Sequence, residues 1–142
     1  MLLDANLLIY AVDSTAPAHA RAADWLTERP NGDQRVGIPW ESLTAFLRIV
    51  THPRASARPL GPDDAWRFVE EWLAATNVWI PGPTDRHAAV LGSLVRKYRL
   101  AGNLIPDAQI AALAVQHGLQ VCSADTDFAR LTEIRWYNPV AG

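Results

Sequence analysis

Cysteine and lysine are each present only once in the 142 residues, as Cys122 and Lys97. A single cysteine cannot form an internal disulfide, and it excludes a zinc site built on several thiolates. The four histidines (His19, His52, His87 and His117) are too scattered for a zinc motif. Long apolar runs are also missing. The longest near the start, Leu7 to Val12, falls far short of the ~20 residues a membrane-spanning helix needs. No Lys or Arg precedes it, as a secretory leader would require. With 49% hydrophobic and 20% charged residues, the chain has ordinary globular usage, which excludes a disordered tail, a coiled coil and a collagen-like repeat. These absences predict a cytoplasmic protein without membrane association. The length predicts one domain over residues 1–142, burying about two-thirds of its unfolded surface.

What is present alternates. Met1 to Leu3, Val36 to Ile38, Val78 to Ile80, Leu119 to Ser123 and Ile134 to Tyr137 read as short buried strands. Between them, Ala5 to Val12, His19 to Glu28, Trp40 to Thr51 and Pro62 to about Ala75 carry helical patterning. Two further helices are predicted, one capped by Thr84 and running to about Tyr98, the other opened by Pro106 and stopped by Gly118. Leu100 to Ile105, with Gly102 and Asn103, reads as a loop. Pro30-Asn31-Gly32-Asp33 is a strong loop signal, and Thr51 to Pro62, with three prolines, reads as an exposed arm. Alternation of this kind predicts an α/β fold, a mainly parallel central sheet flanked by helices on both faces. Cys122 and the helical tryptophans Trp25, Trp66 and Trp72 are assigned to core packing or, for the tryptophans, to dimer contacts.

Four acids fall at one kind of position. Asp4 ends the first strand, Glu41 and Asp107 sit in first turns of helices, and Asp125 lies just beyond a strand. In an open α/β sheet these places share the carboxyl edge, where ligands bind. Asp107 also shares its helical stripe with Ile110, Ala111, Ala114 and Val115, so it faces the core rather than solvent. Asn6, Ser123 and Asp127 add further oxygens nearby. Each acid alone can be read as a helix cap or a dipole partner. Together, four ionised carboxylates repel one another, and a hard divalent cation relieves the conflict. Ligation by oxygen alone points to Mg²⁺ or Mn²⁺.

The segments carrying these acids are familiar. Met1-Leu2-Leu3-Asp4-Ala5-Asn6-Leu7-Leu8-Ile9-Tyr10 resembles the opening of PIN-domain ribonucleases, specifically the VapC toxins of bacterial toxin–antitoxin pairs. Trp40-Glu41-Ser42-Leu43, Asn103-Leu104-Ile105-Pro106-Asp107-Ala108 and Ser123-Ala124-Asp125-Thr126-Asp127-Phe128 resemble the later acidic positions of that family, in order. The resemblance implies a PIN-like fold and a Mg²⁺-dependent endoribonuclease, usually a homodimer, held inactive by a cognate antitoxin. It maps the catalytic residues onto Asp4, Glu41, Asp107 and Asp125, with Asp127 as the second choice for the fourth position. Asp4 and Asp107 are then the main metal ligands, and Glu41 holds a water on the metal or orients the attacking one.

An RNA substrate also needs cationic contacts. The segment from Ser42 to Pro62 contains no acid and carries Arg48, Arg54 and Arg58. The segment from Arg86 to Pro106 also lacks acids and carries Arg86, Arg96, Lys97 and Arg99. Twelve of the 13 basic residues are arginine, which suits bidentate phosphate contacts. These seven are the RNA-binding candidates. Two other classes compete: a related nuclease processing RNA or DNA without an antitoxin, and a phosphoacceptor signalling domain. The latter needs a lysine near the acidic edge, and Lys97 stands on a helix well before the next strand. Replacing Asp4 by Asn is expected to keep the cap and, by relieving repulsion, to stabilise the metal-free protein.

Overall fold

The computed structural model describes residues 1–29 and 32–142, so Pro30 and Asn31 of the predicted loop lie outside it. Within the described residues five strands form one sheet: β1 (Leu2–Leu3), β2 (Val36–Gly37), β3 (Val78–Trp79), β4 (Val121–Cys122) and β5 (Trp136–Tyr137). All pairs are parallel and the order is β3-β2-β1-β4-β5. Among the described residues, six α-helices connect them: α1 (Ala5–Val12), α2 (His19–Glu28), α3 (Trp40–Val50), α4 (Pro62–Ala74), α5 (His87–Tyr98) and α6 (Ile105–His117). Among the described residues, no helix is long and apolar enough to cross a membrane.

Successive side chains of a strand point to opposite faces, and here they feed two cores. Leu2 and Val121 pack with Leu94, Ile110, Leu113 and Phe128, on the face covered by α5 and α6. Leu3 and Cys122 pack with Leu7, Leu8, Leu43, Phe46 and Val69, on the face covered by α1, α3 and α4. Burial of Cys122 in β4 fits its assignment to packing and pushes its thiol up to about 11. On the second face Phe46 meets Trp72 edge-on at 4.9 Å between ring centroids, with Phe68 beside both. Trp25 and Trp72 are packed as expected, whereas Trp66 stays 42% exposed.

Helix ends follow local chemistry. Pro62 stands in the first turn of α4 with Asp63 and Asp64, and Gly118 closes α6 in the left-handed conformation at φ 65°. Three expectations need correction. Thr84 does not cap α5 directly: its hydroxyl accepts from the Arg86 N–H at 3.2 Å, its carbonyl from His87 at 3.0 Å, and the helix proper starts at His87. The turn built by Thr84 uses up three residues before helical bonding begins. α6 starts at Ile105, one residue before Pro106, and Gly102–Leu104 is a 3₁₀ turn rather than plain loop. The paired strands are also shorter than the apolar runs that suggest them.

One glycine is required by close approach. A Cβ on Gly37 would lie 2.7 Å from Cγ of Pro81 and 3.2 Å from the Met1 carbonyl. β2 can therefore lie beside β1 with Pro81 seated on it only if residue 37 has no side chain.

Candidate active site

The chain order within the sheet changes direction at the β1/β4 boundary: β2 and β3 lie on one side, β4 and β5 on the other. The crevice at the carboxyl ends of such a pair is where α/β sheets bind ligands. Asp4 follows β1 there and Asp125 follows β4.

Asp4 has no loop to move in, since β1 ends at Leu3 and α1 starts at Ala5. Its backbone N–H donates to the Cys122 carbonyl at 3.0 Å, which pins it to β4. Its Oδ1 accepts from the Ala5 N–H at 2.8 Å and caps α1. Its Oδ2 accepts from Ser123 Oγ at 2.7 Å and from Asn6 Nδ2 at 3.3 Å. Asn6 Nδ2 also reaches Ser123 Oγ at 3.0 Å, and Asn6 Oδ1 accepts from the Ala124 N–H at 3.2 Å. Ser123 Oγ accepts from the Asp125 N–H at 3.0 Å. Cap and site are thus one object. Burial raises the Asp4 carboxyl above its usual range, the bonds from Ser123 and Ala5 oppose this, and the charge of Asp125 adds to it.

Asp107 lies in the first turn of α6, half-buried, with Ile110, Ala111 and Ala114 of its stripe buried in the core. Asp107, Asp125 and Asp127 each offer a carboxylate oxygen, all within 4.8 Å of one another. Asp125 Oδ1 accepts from the Asp127 N–H at 2.9 Å, so Asp125 caps the Thr126–Arg130 3₁₀ segment in whose first turn Asp127 lies. The structure therefore brings both alternatives for the fourth acidic position to Asp107. Asp4 and Glu41 stand outside this tight group. Burial first, then the charges of Asp125 and Asp4, a side-chain hydrogen bond with Asp125 and the charge of Asp127, push the Asp107 carboxyl up to about 7. Among the described residues no ion pair reaches any of the three. Oxygen-only donors and unbalanced negative charge fit a hard divalent cation.

Glu41 occupies the first turn of α3, half-buried, and its Oε2 accepts from Gln109 Nε2 at 2.8 Å. Beside it, buried Ser42 donates to the Leu3 carbonyl at 2.7 Å, fastening the start of α3 to the end of β1. Sequence reasoning missed Gln109 and the fastening role of Ser42. A signal existed for the first: Gln109 and Gln116 are seven residues apart on one face of a helix otherwise rich in alanine and other apolar residues.

The profile of the PIN domain family matches residues 1–134. Ribonuclease VapC37 of Mycobacterium tuberculosis is 39% identical over 140 residues, which is 99% of this chain and 97% of the relative. The chain belongs to the VapC family of PIN domains. Ribonuclease VapC33 of the same organism is 39% identical to this PIN domain over 137 residues, 96% of each chain. A toxin-antitoxin complex from Klebsiella pneumoniae holds a chain of the same fold, with a TM-score of 0.63 at 21% identity, covering 97% of this chain and 96% of that one.

The basic candidates of this PIN domain are spread over the two ends of α5, α3 and the arm. Arg96 and Lys97 lie in the last turn of α5, and Arg99 closes that helix in the left-handed conformation. Only a short link separates this end from the start of α6, where Asp107 stands. Lys97 is paired there with Glu133 at 3.3 Å, and Arg86 lies at the opposite end of α5. Arg48 is two helical turns, about 10 Å, along α3 from Glu41. Arg54 and Arg58 belong to the arm, and Arg58 lines a cleft with Val12 and Asp13, at the end of α1 away from Asp4.

Proposed function

We propose that this PIN domain, spanning residues 1–142, is a cytoplasmic endoribonuclease toxin that hydrolyses RNA phosphodiester bonds. It uses a carboxylate-held Mg²⁺, for which Mn²⁺ substitutes, and it is restrained by a cognate antitoxin and works as a homodimer. Its VapC relatives carry the name ribonuclease, and a structure of like fold is a toxin-antitoxin complex. The observation that carries the reading is the approach of Asp107, Asp125 and Asp127 within 4.8 Å beside the charge of Asp4.

Asp107, Asp125 and Asp127 would hold the cation, with Asp4 behind them and Glu41 joined through water. Such an ion, when bound, neutralises charge on the phosphate and makes a water easier to deprotonate. The chain's own residues do the rest. Glu41 has Oε2 engaged by Gln109, so Oε1 is the atom that takes a proton from the attacking water. Ser123 and Asn6 hold Asp4 in one rotamer, and Arg96 and Arg99 draw the phosphate backbone to the start of α6. The test is digestion of one sequence, made both as single-stranded RNA and as DNA, by the purified protein. Cleavage of RNA with Mg²⁺ or Mn²⁺, abolished by chelator, is the expected result. Undiminished cleavage in excess chelator sinks the metal mechanism, and equal rates on DNA move the assignment to a processing nuclease.

A further inference from the structure

Glu41 stands at the end of a line of side chains that crosses from one helix to the next. The line starts at Thr84, whose backbone N–H donates to Gln116 Oε1 at 2.9 Å and whose hydroxyl reaches the same atom at 2.7 Å. A backbone N–H can only donate, so Gln116 presents its oxygen there and its amide nitrogen to the other side. That nitrogen donates to the Ala112 carbonyl at 2.8 Å and to His87 Nδ1 at 2.7 Å. A carbonyl can only accept, which fixes the same orientation a second time. His87 Nδ1 is therefore the bare nitrogen and Nε2 carries the hydrogen. Nε2 donates to Gln109 Oε1 at 2.9 Å, and Gln109 Nε2 donates to Glu41 Oε2 at 2.8 Å. Every link has one polarity, and turning either amide would set N–H against N–H or oxygen against oxygen.

The geometry has a reason in the fold. Gln109 and Gln116 are two turns apart on one face of α6, and His87, the first residue of α5, bridges the gap between them. Neither end is free, since Thr84 is backbone-fixed and Glu41 sits on the turn that Ser42 fastens to β1. A glutamate side chain left to itself has rotamer entropy to lose before it can act. Here that ordering is done before any substrate arrives.

We infer that Gln109 is a positioning residue for Glu41, and that His87, as its Nε2–H tautomer, and Gln116 keep Gln109 turned toward it. The inference rests on the ribonuclease reading, in which Glu41 handles the attacking water. α6 then has two tasks two residues apart: Asp107 faces the cation, and Gln109 sets the group that faces the water.

Two readouts test this. Side-chain nitrogen NMR at pH 8 should show His87 in wild type as a single Nε2–H tautomer. Gln109→Met, similar in length and without hydrogen bonds, should keep the fold and leave His87 in that tautomer, because Gln116 still donates to Nδ1. In the RNA assay it should lower kcat about tenfold with KM unchanged. Gln116→Met, one link further out, should mix the tautomers with a two- to threefold loss, and it serves if Gln109→Met does not fold. In a Glu41→Ala background, Gln109→Met should cost nothing more, because its effect passes through Glu41. A wild type that cleaves no RNA sinks the ribonuclease reading and the positioning role with it. An active wild type overturns the positioning role alone if Gln109→Met keeps full kcat, or loses as much without Glu41. An Nδ1–H tautomer in wild type does the same.

Discussion

Asp4 and Asp107 face one crevice, yet the protein treats their charges in opposite ways. Asp4 accepts three hydrogen bonds, from Ala5, Ser123 and Asn6, so most of its lone pairs are spoken for. Asp107 is buried among like charges, its side-chain hydrogen bond is with another acid, Asp125, and its carboxyl is pushed up to about 7. The first is a corner of the scaffold that also lends its field. The second is where a positive charge from outside has the most to offset. Acids that look equivalent in sequence are in fact graded, from one held by three hydrogen bonds to one crowded by like charge.

The largest test of that grading is activity. Asp107→Asn and Asp4→Asn should each lower RNA cleavage by ~10²–10³-fold, since both remove charge that the cation needs. The thermal response to Mg²⁺ should then separate them. At 100 times its dissociation constant, a ligand that binds only the folded protein adds about 2.7 kcal/mol. Asp107→Asn should lose most of that gain, whereas Asp4→Asn should keep much of it, because Asp107, Asp125 and Asp127 are intact. Equal losses in both variants would break the comparison.

Stability without metal sharpens it. Asn at position 4 can still accept from Ala5, but its NH₂ meets the amide of Asn6 and a Ser123 hydroxyl that already accepts two bonds. Donors left without an acceptor cost about 1–3 kcal/mol, which outweighs the relief of repulsion. Metal-free Asp4→Asn should therefore melt lower than wild type, the reverse of what capping and repulsion alone suggest. Asp107→Asn should melt higher at pH 8.

The pH dependence follows from the same carboxyl. Asp107 in the folded state holds its proton up to about 7, while in the unfolded chain it loses it near the ordinary value of 3.8. Between those values the folded state binds more protons, so this residue's contribution falls as pH rises from about 4 to about 7. Asp13 and Glu133, whose carboxyls are lowered, act in the other sense, at lower pH. The difference in melting temperature between wild type and Asp107→Asn removes their influence. It should be near zero at pH 4 and widen in favour of the variant through pH 7. A difference that does not change with pH would contradict the shift. The smallest effect belongs to Ser42→Ala, which removes one buried bond to Leu3 and should cost ~1 kcal/mol, read by denaturant midpoint.

Much of this was legible in order along the chain. α1 and α2 have the bounds that their flanking residues announce, and Pro62 and Gly118 mark the ends they usually mark. The placing of Asp4 at a strand end and of Asp107 on an apolar stripe was legible too, because a charged residue there contradicts its surroundings. What escaped is whatever depends on partners distant in sequence. Gln109 is neutral and helix-compatible, so nothing local says that it faces Glu41, 68 residues away. Gly37 reads as a weak point in a strand, and only the nearness of Pro81 explains it. Thr84 has the right chemistry for a cap, but its bonds serve a turn and a glutamine on another helix.

The direct passage from β1 into α1 through the single residue Asp4 decides where the chain tolerates extra length. One added residue at that junction would rotate α1 by about 100° and carry Asn6 away from Ser123. The arm from Thr51 to Gly61 is the opposite case. Its ends are already clasped by the Leu60 N–H on the Val50 carbonyl at 2.8 Å. Doubling its length would cost only about 0.6 kcal/mol of closure entropy. A tag, a reporter or an inserted domain therefore belongs in the arm, where it extends the molecule without displacing a carboxylate.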